Sequence, residues 1–158
     1  MNSLLIGGAQ NTGKSQAIYR IANTLQSKGF KVIAGTIPAT FSDFKVILKG
    51  IDNNGKDIIV IINSATDTED IIKAFKKFFD SNGVYHILIS SVRDEDYYPR
   101  KDFFKIMELN SQDDFILEIP FAKITRIKKY RAKPLKWFAD NMDNLMNHIL
   151  RNNPFNIG

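Results

Sequence analysis

The spacing of apolar positions changes period several times along the chain, and each change marks an element. Ser3-Leu4-Leu5-Ile6 is a short apolar run closed by Gly7-Gly8, which predicts a buried first strand. From Ser15 the period becomes helical. Ala17, Ile18, Ile21, Ala22 and Leu25 fall on one face, and Gly29 stands just beyond as the expected left-handed cap. Phe30 to Ala34 resumes as a strand. Residues 45–51 and 57–63 are β-rich runs separated by Asp52-Asn53-Asn54-Gly55-Lys56, where Asn-Gly signals a hairpin. Ile58 to Ile62 shows no alternation, as expected of a central strand covered on both faces. A helix over 45–49 competes for the first run, because Phe44, Ile47 and Leu48 also match helical spacing.

Thr66-Asp67-Thr68-Glu69 reads as a capping box that opens a helix through about Asp80, with Ile71, Ile72, Phe75, Phe78 and Phe79 inward. Tyr85 to Ile89 predicts the next strand. Pro99 starts a helix that carries Phe103, Phe104, Ile106 and Met107. Phe115 to Ile119 predicts a last strand, stopped by Pro120. Leu135, Phe138, Met142, Leu145, Met146 and Ile149 define a final amphipathic helix. Strands alternating with helices predict an α/β fold of three layers, with helices on both faces of a mostly parallel sheet and a β-hairpin near residues 45–63. At 158 residues, with no repeat and no linker, one domain spanning 1–158 is expected.

Composition narrows the chemistry. The chain has no cysteine, which excludes disulfides, thiolate catalysis and Cys-ligated metals. His86 and His148 stand far apart and read as a strand residue and a surface-helix residue rather than metal ligands. Met1 to Gly8 has no basic start and too short an apolar run for a signal peptide or a membrane span, so a cytoplasmic protein without a membrane partner is expected. The net charge of +5 is local. Seven basic residues and no acidic one lie between Ala122 and Lys136, which leaves 15 basic against 17 acidic residues elsewhere.

The most informative stretch is Gly8-Ala9-Gln10-Asn11-Thr12-Gly13-Lys14-Ser15, which satisfies G-x-x-x-x-G-K-[ST] between a predicted strand and a predicted helix. Gly8 and Gly13 allow turns that a Cβ would obstruct, so that successive N–H groups meet phosphate oxygens. The start of the helix adds the positive end of its dipole. Lys14 is expected to reach the β- and γ-phosphates, Ser15 to place its hydroxyl on Mg²⁺, and Gln16 to border the same ligand. These residues resemble the Walker A motif of the P-loop NTPase superfamily. The resemblance implies a P-loop fold, a nucleoside triphosphate (ATP before others) and Mg²⁺.

The family's second acid, an Asp closing a central strand, has no counterpart here. Asn63 occupies its place and would accept hydrogen bonds from Mg²⁺-bound water, with less electrostatic stabilisation than an acid; Asp67 or Asp94 is the available acidic substitute. Asp67 can also be read as a helix cap. The hairpin leading to Asn63-Ser64-Ala65-Thr66 is similar to the approach to the second switch of small GTPases, but both fixed positions of their Asp-x-x-Gly differ, and no guanine-reading Asn-Lys-x-Asp occurs. Small-molecule and nucleotide kinases offer a second comparison. Arg93, followed by Arg100 and Lys101, would then stabilise charge on a transferring phosphoryl group, and Asp43 would orient an acceptor hydroxyl. Arg93 can equally pair with Asp94 or Asp96. The basic segment Lys123–Lys136 interleaves Tyr130 with cations, a pattern suited to nucleic acid, to a second phosphorylated substrate, to a lid over the nucleotide's phosphates, or to a solvated connector. Two readings follow: a Mg²⁺-dependent NTPase or kinase, and a nucleotide-binding module without turnover that acts on DNA or a protein through this segment.

Overall fold

The computed structural model describes residues 1–94, 98–110, 112–122, 130 and 132–158. Along the chain run β1 (Asn2–Gly8), α1 (Lys14–Ser27), β2 (Lys31–Gly35), β3 (Lys45–Ile51), β4 (Asp57–Asn63), α2 (Glu69–Ser81), β5 (Ile87–Ser91), α3 (Tyr98–Met107), β6 (Phe115–Phe121) and α4 (Ala132–Arg151). The described strands form a six-stranded sheet in the order β2-β3-β4-β5-β1-β6. β4, β5, β1 and β6 run parallel, while β3 is antiparallel to both β2 and β4. The fold is α/β with a mostly parallel sheet, and β5 lies between β1 and β4.

Unbroken apolar runs in the central strands follow from helices on both faces. Leu4, Ile6, Val60, Ile62, Ile87 and Ile89 pack with α1 and α4, whereas Leu5, Ile61 and Leu88 pack with α2 and α3. Successive side chains of a strand point to opposite faces, so neighbours in sequence enter different cores. Residues 45–49 obey the same rule. Val46 and Leu48 join one core and Ile47 the other, which gives a strand and not the competing helix. The hairpin turn is held by Asp52, whose Oδ1 accepts from the amides of Asn54 and Lys56, both at 2.8 Å. Gly55 supplies the positive φ of +81°.

Several boundaries differ from the sequence reading; β5, expected over Tyr85 to Ile89, runs Ile87–Ser91, and α3 begins at Tyr98 rather than Pro99. β6 continues through Pro120 to Phe121, because this strand has only β1 as a described neighbour, and a missing N–H is tolerated on an edge strand. The cap of α2 is Thr68, not Thr66 or Asp67. Thr68 Oγ1 accepts from the Ile71 amide at 3.3 Å, while Thr66 Oγ1 turns to Ser91. Asp67 is therefore released from the capping role. No helix among the described residues is long and apolar enough to cross a membrane.

Candidate functional site

β1 and α1 are joined by a loop built on left-handed residues. Gly8, Asn11 and Gly13 have φ of +137°, +63° and +91°. At Gly8 a Cβ would lie 2.5 Å from the Phe121 carbonyl oxygen, so both conformation and space require glycine. Thr12 Oγ1 tightens the turn by donating to the Ala9 carbonyl at 2.9 Å. Gly13 is the N-cap of α1, contributes no capping side chain, and is followed by no acid in the first turn. Among the described residues, the amides from Asn11 to Ser15 meet no protein acceptor. The result is a cluster of N–H donors at the positive end of the α1 dipole.

Lys14 and Ser15 start the helix and take different environments. Lys14 is only 8% exposed, and its ammonium turns back to donate to the Gly8 and Ala9 carbonyls at 2.7 and 2.8 Å. Burial lowers its pKa; the nearby positive charge of Arg93 adds to this, and Asp67 and Asp94 act in the opposite sense. An anion beside Lys14 would offset both the desolvation and the repulsion. Ser15 Oγ donates its proton to the Ser64 carbonyl at 2.8 Å. A hydroxyl fixed in this way keeps its oxygen lone pairs for a cation.

The carboxyl ends of β4 and β5 are knit by buried polar groups. Asn63 is 3% exposed, and its Nδ2 donates to the Ala65 carbonyl at 2.8 Å and to Ser90 Oγ at 3.2 Å. Ser64 Oγ accepts from the Phe44 amide at 2.8 Å, and Ser90 Oγ donates to the Ser91 carbonyl at 3.0 Å. Asn63 is thus committed to structure, and it does not line the cleft described next. A carbonyl accepts only, so the group facing Ala65 must be a donor. Asn63→Asp is accordingly expected to cost about 1–3 kcal/mol of stability at pH 7, read by urea unfolding, without any gain in Mg²⁺ affinity. A more stable Asp variant that binds Mg²⁺ better would refute this account.

These elements enclose a cleft of about 320 Å³ at the carboxyl edge of the parallel strands, the usual ligand position in open α/β sheets. It is lined by Gln10 to Gln16 together with Phe41, Ser64, Asp67, Ser91 and Arg93. The structure thus brings Lys14, Ser15, Asp67 and Arg93 together. Arg93 pairs across the cleft with Asp67, Nη1 to Oδ1 at 3.3 Å, rather than with Asp94 as the sequence reading allowed; Asp96 lies outside the described residues.

Other expected residues stay apart. Asp43 is exposed and does not line the cleft. Arg100 makes a two-pronged pair with Glu118 of β6 and lies 5.1 Å over the Phe104 ring, which commits it to packing. Within the basic segment, 123–129 and 131 lie outside the described residues; Lys133 is exposed and Lys136 pairs with Asp140 at 2.7 Å.

No family model matches the chain, and no curated protein or solved structure is significantly similar to it. Among the described residues no group of three or more His, Asp or Glu is placed to hold a metal ion. A small hard cation that keeps most of its water needs less, and one hydroxyl plus one carboxylate is a common protein share for Mg²⁺. Phe41, Ser64 and Ser91 are cleft residues that the sequence reading missed. Phe41 belongs to no periodic segment, and the serines are marked only by the strand ends they follow.

Proposed function

We propose that the chain binds a nucleoside triphosphate, with ATP the first expectation, through Gly8–Ser15, and acts on it with Mg²⁺ as an NTPase or as a kinase of a small molecule or nucleotide. The observation that carries the reading is the donor cluster from Asn11 to Ser15. These amides, at the start of an α1 first turn without an acid, share one cleft with a buried, poorly solvated Lys14. Such an array is complementary to a polyanion. Ser15, with its proton directed at Ser64, and Asp67 would hold Mg²⁺, Asp67 through water. Arg93, on the same cleft wall, would stabilise charge on a transferring phosphoryl group.

Asp67 provides the test. Asp67→Asn is expected to weaken Mg²⁺-ATP binding about tenfold while changing ATP binding in EDTA less than twofold, by calorimetric titration. Equal losses in both conditions would assign Asp67 to holding Arg93 alone. Phosphate release from Mg²⁺-ATP by the unmodified chain then separates enzyme from binder.

A second reading, nucleotide binding without turnover, is favoured by Asn63. Its amide is used inside the fold, so β4 ends without the carboxylate that would anchor the cation. Tight Mg²⁺-ATP binding with no phosphate release would select it.

A further inference from the structure

The geometry points to Phe41 as a stacking platform for a nucleobase at the phosphate cleft. This inference rests on the triphosphate reading above and names a residue that reading does not use. Every other side chain on the cleft wall is polar or charged among the described residues, apart from Gly13, which has none; Phe41 is the apolar exception. It is 44% exposed, in a place where an apolar ring gains nothing from water.

Phe41 is also held in position. It lies in the nine-residue connection between β2 and β3, where a mobile ring would be expected. Tyr19, one helical turn after Ser15, fastens that connection. Its hydroxyl lies 2.9 Å from the Pro38 carbonyl and 3.2 Å from that of Ala39. The Tyr19 ring meets Phe41 edge to face at 5.7 Å and Phe44 likewise at 6.0 Å. Phe44 is itself joined to Ser64, which accepts the Ser15 proton. The ring is therefore fixed relative to Ser15, where the cation and terminal phosphates would sit. An exposed aromatic ring fixed beside a polyanion site suits a ligand that joins phosphate to a planar ring. Every nucleobase has a π-face, and stacking on an aromatic side chain tolerates any of them.

The base can belong to the bound triphosphate or to a second, nucleoside-containing ligand, and Phe41→Ala distinguishes the two. Titrations would use Mg²⁺-ATP, Mg²⁺-GTP, Mg²⁺-tripolyphosphate, and adenosine or guanosine in the presence of saturating Mg²⁺-tripolyphosphate. A loss of about tenfold on ATP or GTP, with tripolyphosphate changed less than twofold, supports stacking of the nucleotide's own base. Unchanged triphosphates with a similar loss on the nucleoside support the base of a second ligand. No loss on any probe, or equal losses on tripolyphosphate and nucleotides, overturns the inference. Phe41→Leu, which keeps apolar bulk but has no π-face, should behave as alanine does, and Phe41→Trp should restore affinity; leucine rescue would overturn stacking. Matching thermal midpoints keep folding out of the comparison. Failure of the unmodified chain to bind tripolyphosphate would instead refute the phosphate-binding reading, and this inference with it.

Discussion

Replacing Lys14 with methionine is expected to reduce triphosphate affinity about 100-fold, and to cost the folded chain less stability at pH 7 than near pH 11. The loss follows from the charge-assisted hydrogen bonds that an ammonium gives to phosphate, roughly 1.5–3 kcal/mol each. The pH dependence follows from the direction of the pKa shift. Burial holds the Lys14 pKa below its ordinary 10.5, so the folded chain is at a disadvantage wherever the side chain must carry charge. A group with a lowered folded pKa contributes stability above its unfolded pKa and loses it as pH falls through the folded one. Neutral pH lies on the unfavourable side for Lys14. Methionine removes the buried charge with similar length but leaves the Gly8 and Ala9 carbonyls without their donor, so the variant should lose ground to its parent as pH rises toward 10.5, with little further change above it. Urea unfolding at pH 7 and near pH 11, beside titration with Mg²⁺-ATP, tests both halves. Unaltered ATP affinity would end the assignment of Lys14 to phosphate.

The second large effect separates two glycines that the motif treats alike. Gly8→Ala is expected to lower the unfolding free energy by about 3 kcal/mol or more, and Gly13→Ala by about 1–2 kcal/mol. Both have positive φ and share the conformational penalty. Only at Gly8 does the new Cβ meet backbone, at 2.5 Å from the Phe121 oxygen, where β6 lies against β1 and neither strand can withdraw cheaply. A Cβ at Gly13 has nothing within 4 Å. The Gly13 variant should therefore remain folded and reveal a binding defect, whereas the Gly8 variant should report mainly on folding. Equal destabilisation by the two substitutions, in urea titrations of each, would refute the distinction.

Local signals carried most of the fold. The Asn-Gly turn, the unbroken run of β4 and the helical face of α1 each follow from a few adjacent residues, and the structure has the elements they predict. The ambiguity at 45–49 arose because three apolar residues satisfy two periods, and pairing with β4 decides between them. Thr66-Asp67-Thr68-Glu69 contains more than one possible cap, and choosing among them requires knowing that Thr66 faces Ser91, 25 residues away.

The cleft divides in the same way. The lining from Gln10 to Gln16 is contiguous and falls in or beside the sequence motif, whereas Gly8 and Ala9 are not among the lining residues. Ser64 and Phe41 enter through contacts made 49 and 22 residues away, at Ser15 and Tyr19, and no pattern within either segment announces them. Asn63 was located correctly at the end of its strand, but only the Ala65 carbonyl explains why an amide is needed there.

The place of β5 between β1 and β4 sets the width that the phosphate loop has to cross. Adjacent strands lie about 4.8 Å apart, so the end of β1 and the end of β4 are separated by about 10 Å across the floor made by Ser90 and Ser91. The start of α1 closes that gap, because the Ser15 hydroxyl reaches the Ser64 carbonyl at 2.8 Å, one residue past β4. On the proposed reading, then, the order of the strands fixes on which side of the phosphates the cation stands, toward β4 and away from β6, before any side chain tests the base.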